Sequence, residues 1–184
     1  MNLVFEKYME GAIEAVKKQR QKDRLMVSKG VFHTKRGDFP FELYDTEAPN
    51  TVKNFVQLAQ GDYKGYKEGI FHRVLPGFVI QGGDPTYTGS GGPGYKIKCE
   101  LDGEKQFHDK GMLSMAHAGR NTGGSQFFIV LSRQQTAHLD KDHTVFGKVT
   151  DNLQDLDSIQ KGDNFTVEIT EVDSKTEARE LKKI

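Results

Sequence analysis

The segment 71–84 carries the residues of this chain whose types and spacing best suit binding chemistry. It reads Phe-His-Arg-Val-Leu-Pro-Gly-Phe-Val-Ile-Gln-Gly-Gly-Asp, so Arg73 stands among apolar residues and Phe78 and Gln81 follow it. A guanidinium group is always charged and offers several N–H donors. Such a donor beside an aromatic ring and an amide can hold a polar group of a bound molecule while an apolar part packs against the ring.

Further along the chain, a second segment reads Asn-Thr-Gly-Gly-Ser-Gln-Phe-Phe-Ile-Val and predicts a strand with two different faces. Because side chains alternate along a strand, Gln126 and Phe128 share one face, whereas Phe127 and Ile129 share the other. One face can pack into a core, and the other then presents an amide and a ring together. In the strand expected at 78–81, Val79 and Gln81 likewise share one face, which combines an apolar and a polar side chain. The spacing fits a peptide-binding groove and equally an ordinary two-sided strand, and it leaves both interpretations open.

Three other kinds of chemistry find less support in the sequence. Residues 89–94 match the dinucleotide-binding pattern G-x-G-x-x-G, but that site needs a helix after the loop, and residues 95–99 alternate like a strand. The densest group of metal donors, His-Leu-Asp-Lys-Asp-His at 138–143, matches no standard zinc spacing and has no cysteine near it. Ser125 lacks the flanking pattern of a hydrolase nucleophile. The sequence therefore predicts a flexible loop at 89–94, no metal site, no cofactor and no covalent catalysis.

Length and composition indicate one domain with a hydrophobic core. The chain has 184 residues, and its 26 Lys and Arg balance its 26 Asp and Glu, so no net charge attracts nucleic acid or an anionic membrane. A single cysteine, Cys99, excludes an internal disulfide and fits a reducing compartment. No apolar run approaches a membrane span, and charged residues such as Glu6 and Lys7 exclude a visible signal peptide. We expect a cytoplasmic protein, and a leader removed beforehand would leave no trace in this sequence.

Three helices are expected to frame the candidate residues. Apolar residues at helical spacing predict an amphipathic helix at 3–26, which ends in a basic run. A second helix is expected at 49–60, because Pro49 suits a first helical position and Gly61 a helix stop. A third is expected at 152–160.

Many short strands separated by turns indicate a closed or sandwiched β architecture. Strands are expected at 30–35 and 39–44, as a hairpin around the turn 36–38, and at 71–75, 78–81, 95–99, 112–116, 126–131, 145–149 and 165–172. We divide the chain into an N-terminal helical extension at 1–28, a β-rich domain at 29–173 and a loose polar tail at 174–184.

The β-rich part closely resembles the cyclophilin family of peptidyl-prolyl cis-trans isomerases. The resemblance covers about residues 30–172 and rests on four motifs, FHRVLPGFVIQGGD at 71–84, GMLSMAHAG at 111–119, NTGGSQFFIV at 121–130 and HTVFGKV at 143–149. It implies a closed eight-stranded antiparallel β-barrel capped by two helices, with the active groove on the outer surface of the barrel. The helix at 3–26 lies outside the shared domain.

The resemblance also implies the site residues. Arg73 corresponds to the catalytic arginine, Gln81 to a residue that hydrogen-bonds the peptide, and His143 to a further active residue of the groove. The residues corresponding to the substrate-binding surface are Phe78, Val79, Ala116, His117, Ala118, Gln126, Phe128, His138 and Leu139. Of these, Phe78, Val79, Phe128 and Leu139 correspond to the pocket for the proline ring.

Three positions depart from the family pattern. Many relatives have Met where this chain has Val79, Asn where it has His117, and Trp where it has His138. Val79 has a shorter side chain than Met and extends less far into the proline pocket. Residues 116–118 bind substrate largely through backbone atoms, so that role tolerates His117. The loss of Trp at the groove rim implies only weak binding of cyclosporin.

The chemistry that the resemblance implies needs no nucleophile and no cofactor. Resonance gives a peptide bond a rotation barrier of about 18–20 kcal/mol, and rotation places a lone pair on the proline nitrogen. A donor aimed at that nitrogen binds the twisted state more tightly than either planar state, and Arg73 is suited to that role.

The sequence is consistent with three alternative functions. The first is an isomerase that rotates X-Pro bonds of Pro-containing polypeptides and assists protein folding. The second is a binding module with the same fold and no useful turnover, but Arg73, Phe78, Gln81, Phe128 and His143 are all retained, which favours the enzyme. The third is a chaperone or assembly factor that acts through the N-terminal helix, docked on the barrel or on an unknown partner.

Overall fold

An antiparallel sheet of nine strands forms the scaffold in the computed structural model, which describes residues 3–24 and 27–184. In chain order the strands are β1 (Lys29–Thr34), β2 (Gly37–Leu43), β3 (Gly69–Ile70), β4 (Arg73–Leu75), β5 (Val79–Gly82), β6 (Met112–Met115), β7 (Phe127–Val130), β8 (Val145–Val149) and β9 (Asn164–Glu171). Side by side, their order is β3-β9-β1-β2-β8-β6-β7-β5-β4. The mainly β fold class is therefore confirmed.

The predicted closed eight-stranded barrel is wrong, because the sheet is open between β3 and β4. These two end strands follow one another along the chain, and each pairs with a different neighbour, β3 with β9 and β4 with β5. Between them, Phe71 exchanges backbone hydrogen bonds with the loop before β9, accepting from Gly162 and donating to Asp163. Of the strand predicted at 71–75, only residues 73–75 form a strand, β4, whereas Phe71 bonds to the segment before β9 at the other end of the open half-barrel.

One further predicted strand is wrong. In place of a strand at 95–99, the structure has an isolated bridge between Ile97 and Gly123. Ile97 is buried, so the alternating pattern reflects one anchored side chain rather than a ladder. The hairpin of β1 and β2 is confirmed, and its register pairs Thr34 with Gly37.

Within residues 3–24 and 27–184, five α-helices accompany the sheet: α1 (Leu3–Arg24), α2 (Pro49–Gln60), α3 (Lys64–Lys67), α4 (Arg133–Thr136) and α5 (Ser174–Ala178). α2 has the predicted bounds, and the N–H of Gly61 closes its end on the carbonyl of Gln57. The helix predicted at 152–160 is a 3-10 helix over Leu153–Ser158. A second 3-10 turn covers Ala137–Leu139.

Aromatic side chains fill the space between α2 and the concave face of the sheet. Phe55 of α2 packs against Phe41, Phe127 and Phe146, with ring centroids 5.7, 5.6 and 5.1 Å apart. These rings are at most 1% exposed, and they belong to the main core cluster of the protein. Because β7 contributes Phe127 to this core, its other face is directed away from it.

The helix α1 stands apart from this core. Every side chain described in it, at residues 3–19, is exposed, including Phe5 at 58% and Ile13 at 50%. The predicted amphipathic helix is present, but the apolar side chains described in it are exposed and not packed on the sheet. Residues 25–26 of the predicted helix lie outside the described residues. Among the described residues, none of the helices combines the length and the apolarity needed to cross a membrane.

The C-terminal segment is polar, as expected, but it is not loose. Thr176 of α5 is buried and donates a hydrogen bond to the carboxylate of Asp45. At the end of the chain, Ile184 and Lys96 exchange two backbone hydrogen bonds of 2.8 and 3.1 Å. These attachments are mostly hydrogen bonds, and hydrophobic periodicity therefore gives no sign of them.

Candidate active site

A groove of about 910 Å³ lies beside the ends of β5 and β7. Five of the predicted site residues line it, namely Gln81, Ala116, His117, Ala118 and Gln126. The glycine-rich loop 89–94 forms another of its walls, together with Tyr95 and Lys96. The loop predicted from the glycine pattern thus becomes part of a binding surface, and no helix follows it within residues 95–111.

An apolar cluster adjoins this groove on the outer face of β7. Its buried members are Val79, Met112, Phe128, Val130 and Val145, and its half-buried members include Phe78, Phe107, Ala116 and Leu139. Ala116 belongs to both the cluster and the groove wall. The predicted division of β7 is confirmed, because Phe127 and Ile129 lie in the main core and Phe128 lies in this second cluster.

The strand register aligns the candidate residues across the sheet. Arg73 of β4 stands opposite Gln81 of β5, and Gln81 stands opposite Phe128 of β7. Directly opposed residues of an antiparallel pair share one face. Arg73, Gln81 and Phe128 therefore form one row that runs from a charged donor through an amide to an aromatic ring.

A chain of side-chain hydrogen bonds fixes the polar part of this row. The guanidinium Nη1 of Arg73 donates to Oε1 of Gln81 at 3.4 Å, and Nε2 of Gln81 donates to Oε1 of Gln126 at 3.0 Å. Nε2 of Gln126 then donates to the carbonyls of Gly89 and Gly91, both at 2.9 Å. Each amide accepts at its oxygen and donates at its nitrogen, so both orientations are determined. The bond from Arg73 is the longest, which leaves its exposed guanidinium free to turn towards a ligand.

Asp84 anchors the glycine-rich loop through hydrogen bonds to the backbone. Its carboxylate accepts hydrogen bonds from the backbone of Thr86, Gly89 and Gly91. Burial opposes ionisation, but these hydrogen bonds prevail and lower the pKa of Asp84 to about 2. The loop is therefore anchored by a carboxylate that stays charged at neutral pH.

His143 lies where the groove meets the apolar cluster. Its Nδ1 lies 2.8 Å from the carbonyl of Met115, and its ring is 5.5 Å from the ring of Phe128 in an edge-on arrangement. On its other side it stacks on the ring of His117, with centroids 3.9 Å apart. Burial lowers the pKa of His143, so the ring is neutral at pH 7 and its Nδ1–H donates to Met115.

The rim of the cluster carries the residue that replaces tryptophan in this chain. His138 is exposed, and its ring centroid lies 6.1 Å from that of Phe78. Leu139, the next residue, is half-buried against the cluster. An imidazole at this distance covers less of the apolar surface than an indole ring would.

The predicted site residues thus lie in two adjoining parts, the groove and the apolar cluster. Arg73 is connected to them through its hydrogen bond to Gln81. Sequence reasoning missed His108, whose buried ring stacks on Phe128 at 5.8 Å and 15°. Its two nitrogens bond Asp140 and Ser114, at 2.9 and 2.8 Å. No pattern points to His108, because it lies in a stretch without regular secondary structure.

The sequence and the fold match one family. A family model described as "Cyclophilin type peptidyl-prolyl cis-trans isomerase/CLD" covers residues 30–180, which leaves out α1. The chain is 56% identical over 124 residues to "Peptidyl-prolyl cis-trans isomerase B" of Bacillus subtilis (strain 168), spanning 67% of this chain and 83% of that protein. It is 49% identical over 142 residues to a peptidyl-prolyl cis-trans isomerase of Synechococcus elongatus, spanning 76% and 93%.

Solved structures agree. A cyclophilin type peptidyl-prolyl cis-trans isomerase of Cryptosporidium parvum superposes with a TM-score of 0.69 at 34% identity, over 78% of this chain and 98% of that chain. Its structure in the presence of the dipeptide Ala-Pro gives a TM-score of 0.67 over the same shares.

Proposed function

This chain belongs to the cyclophilin-type peptidyl-prolyl cis-trans isomerases, and from that premise we propose how its groove carries out the reaction. The enzyme interconverts the cis and trans forms of X-Pro peptide bonds. We assign the proline ring to the apolar cluster at Phe78, Val79, Phe128 and Leu139, and the flanking peptide to the groove beside it. Its substrates are exposed X-Pro segments of folding polypeptides, since an open groove admits a chain from either side.

The row formed by Arg73, Gln81 and Phe128 is the observation that supports this assignment. The three residues occupy neighbouring strands on one face. Strands lie about 4.8 Å apart, so the backbones of Arg73 and Phe128 are about 10 Å apart, within reach of a long guanidinium side chain. A proline packed on Phe128 would therefore present its ring nitrogen towards Arg73.

The charge on Arg73 supplies a differential interaction. In either planar state the nitrogen lone pair is delocalised into the carbonyl, and only rotation makes it available as an acceptor. A donor that meets the lone pair in the twisted state lowers the barrier without tightening the ground state. An acceleration of about 10⁵-fold requires about 7 kcal/mol, and one preorganised donor supplies about 3–4 kcal/mol. The remaining stabilisation of the transition state comes from fixing the proline ring and binding the flanking peptide.

Gln81 and the segment 116–118 position the peptide in this scheme. Turning Arg73 towards the substrate releases Oε1 of Gln81 from a long bond, and the amide becomes free to accept from a peptide N–H. The backbone N–H groups of Ala116 and Ala118 already donate to Gln126 and Thr122, at 3.0 and 2.9 Å. The peptide would therefore meet the carbonyl side of this segment. His143 closes the pocket next to Phe128 as a neutral ring.

The experiment that tests the proposal is a protease-coupled isomerase assay on peptides that differ only in the residue before proline. We expect the wild type to accelerate rotation in every peptide, with Arg73→Ala as the control for contaminating isomerase. Binding of the same peptides without acceleration would establish the alternative, a proline-binding module.

A further inference from the structure

Three metal-binding side chains meet at the edge of the groove. One ring nitrogen each of His117 and His143 and one carboxylate oxygen of Asp142 all lie within 4.8 Å of one another. The distance from His143 Nε2 to Asp142 Oδ2 is 3.6 Å. Two ligands of a tetrahedral zinc ion lie about 3.3 Å apart when the bonds are about 2.0–2.1 Å. The pair therefore needs only a small side-chain movement to share an ion.

His143 is already prepared as a ligand. Its Nδ1–H donates to the carbonyl of Met115, so its Nε2, which lies 3.6 Å from Asp142 Oδ2, keeps a lone pair available for a metal. Histidines that bind metals usually donate their other ring N–H to a carbonyl or carboxylate, which fixes the tautomer and the ring orientation.

His117 is the ligand that must give up a contact. Its Nε2 lies 2.8 Å from the carbonyl of Asp142, and its Nδ1 accepts from the N–H of Gly119 at 3.1 Å. Ligation through Nδ1 exchanges only the bond from Gly119 for a metal bond, whereas ligation through Nε2 shifts the ring proton to Nδ1 and gives up both bonds. The ring also stacks on that of His143, with an interplanar angle of 6°, so one of the two rings must tilt for both lone pairs to meet at a single ion.

We propose that His117, Asp142 and His143 form a site for a divalent transition metal of the zinc class, and that its occupation closes this edge of the groove. Two imidazoles and one carboxylate suit zinc-like ions, and three protein ligands leave a further position open for water. All three residues are at least partly exposed, so the ion has access from solvent.

Occupation would obstruct peptide binding directly. His117 lines the groove between Ala116 and Ala118, and His143 contacts the ring of Phe128. An ion with its water on this edge lies where the peptide backbone passes, so the metal would inhibit isomerisation reversibly. This regulatory part rests on the function proposed above, whereas the metal site itself does not.

The test begins with binding to metal-free protein. Zn²⁺ is titrated by calorimetry at pH 7.5, and Co²⁺ is added separately to read its visible absorption. We expect one ion per chain and the absorption of a low-coordinate cobalt site. Asp142→Asn should weaken Zn²⁺ binding by about ten-fold or more, and His117→Asn by a similar factor. Asp62→Asn, an exposed carboxylate that pairs with Lys67 away from the cluster, should bind Zn²⁺ like the wild type.

Activity provides the second readout. Zn²⁺ should inhibit the wild type over the range in which it binds, EDTA should restore activity, and Asp142→Asn should keep its metal-free activity and shift the inhibition curve by the same factor as binding. Equal Zn²⁺ binding by wild type, Asp142→Asn and Asp62→Asn would overturn the site. Full activity with Zn²⁺ bound at the cluster would overturn the inhibitory role. A metal-free protein without isomerase activity would instead contradict the proposed function, and calorimetry would still decide the site.

Discussion

The two faces of strand β7 bury adjacent phenylalanines to nearly the same extent and use them differently. Phe127 is 0% exposed and Phe128 is 4% exposed. Phe127 contacts the rings of Phe32, Phe55, Tyr66 and Phe165, all within the main core. Phe128 instead lies between two histidines, His108 and His143. Burial alone does not distinguish a stabilising ring from a binding ring here, whereas the neighbours of each ring do.

The largest expected effect is on the stability of the core face. Phe127→Ala should lower the free energy of unfolding by about 3–5 kcal/mol, because a cavity opens among packed rings. Phe128→Ala should cost less, because its face of the strand borders the groove and a cavity there can admit water. Urea denaturation of both variants measures the difference. A larger loss for Phe128→Ala would reverse the assignment of the two faces.

The binding of substrate should show the opposite order. Phe128→Ala removes a wall of the proline pocket, and burial of a phenylalanine side chain is worth about 1.5–3 kcal/mol, so we expect peptide affinity to fall by about ten-fold or more. Where Phe127→Ala remains folded, its affinity should change little. Calorimetric titration of one Pro peptide into both variants gives the comparison, and equal losses would remove the distinction.

The alternation of β7 is also the feature that sequence predicted best. A period of two placed Phe127 and Phe128 on opposite faces, and Pro49 with Gly61 delimited α2, because both signals are local. The opening of the sheet at 71–72 depends on backbone bonds to a loop distant in sequence, and local patterns do not reveal it. The partners of His108 likewise come from distant segments.

The histidines of the binding face should give it a pH dependence that the core face lacks. Burial lowers the pKa of His108 in the folded protein, in spite of its hydrogen bond to Asp140. When the pH falls below about 6.5, the unfolded chain therefore binds a proton at His108 that the folded protein does not bind. Stability contributed by neutral His108 is therefore fully present above about pH 6.5 and is lost as pH falls towards the folded pKa, by at most about 1.4 kcal/mol per pH unit.

Unfolding free energies measured from pH 7.5 to 5 for wild type and His108→Gln test this dependence. The variant should have the smaller slope, whatever its stability at pH 7.5. Identical slopes would show that the protonation of His108 is not coupled to folding. Other histidines are common to both proteins and cancel in the difference.

The rim of the binding face should control large ligands more than small ones. His138→Trp should increase cyclosporin affinity several-fold, because an indole adds apolar surface beside Phe78. Turnover of a short Pro peptide, which uses the inner pocket, should be nearly unchanged. Inhibition curves for the two forms measure this, and wild-type inhibition as tight as that of His138→Trp would exclude a controlling role for the rim.

The smallest effect is expected from removing α1, which contributes to neither face of β7. Removal of residues 1–26 should leave folding and isomerase activity unchanged, because the described side chains of α1 are exposed and the family match begins at residue 30. Circular dichroism and the peptide assay on the truncated protein check this. Loss of fold or activity would make α1 part of the domain.

The central claim is that Arg73 acts on the twisted amide and not on the bound ground state. The most direct test measures kcat and peptide affinity for wild type, Arg73→Ala and Arg73→Lys, with the exposed Arg179→Ala as the matched control. We predict that Arg73→Ala lowers kcat by about 10²–10³-fold with little change in affinity, and that lysine restores little because it lacks the planar fork. Equal losses of rate and affinity in Arg73→Ala would contradict the account.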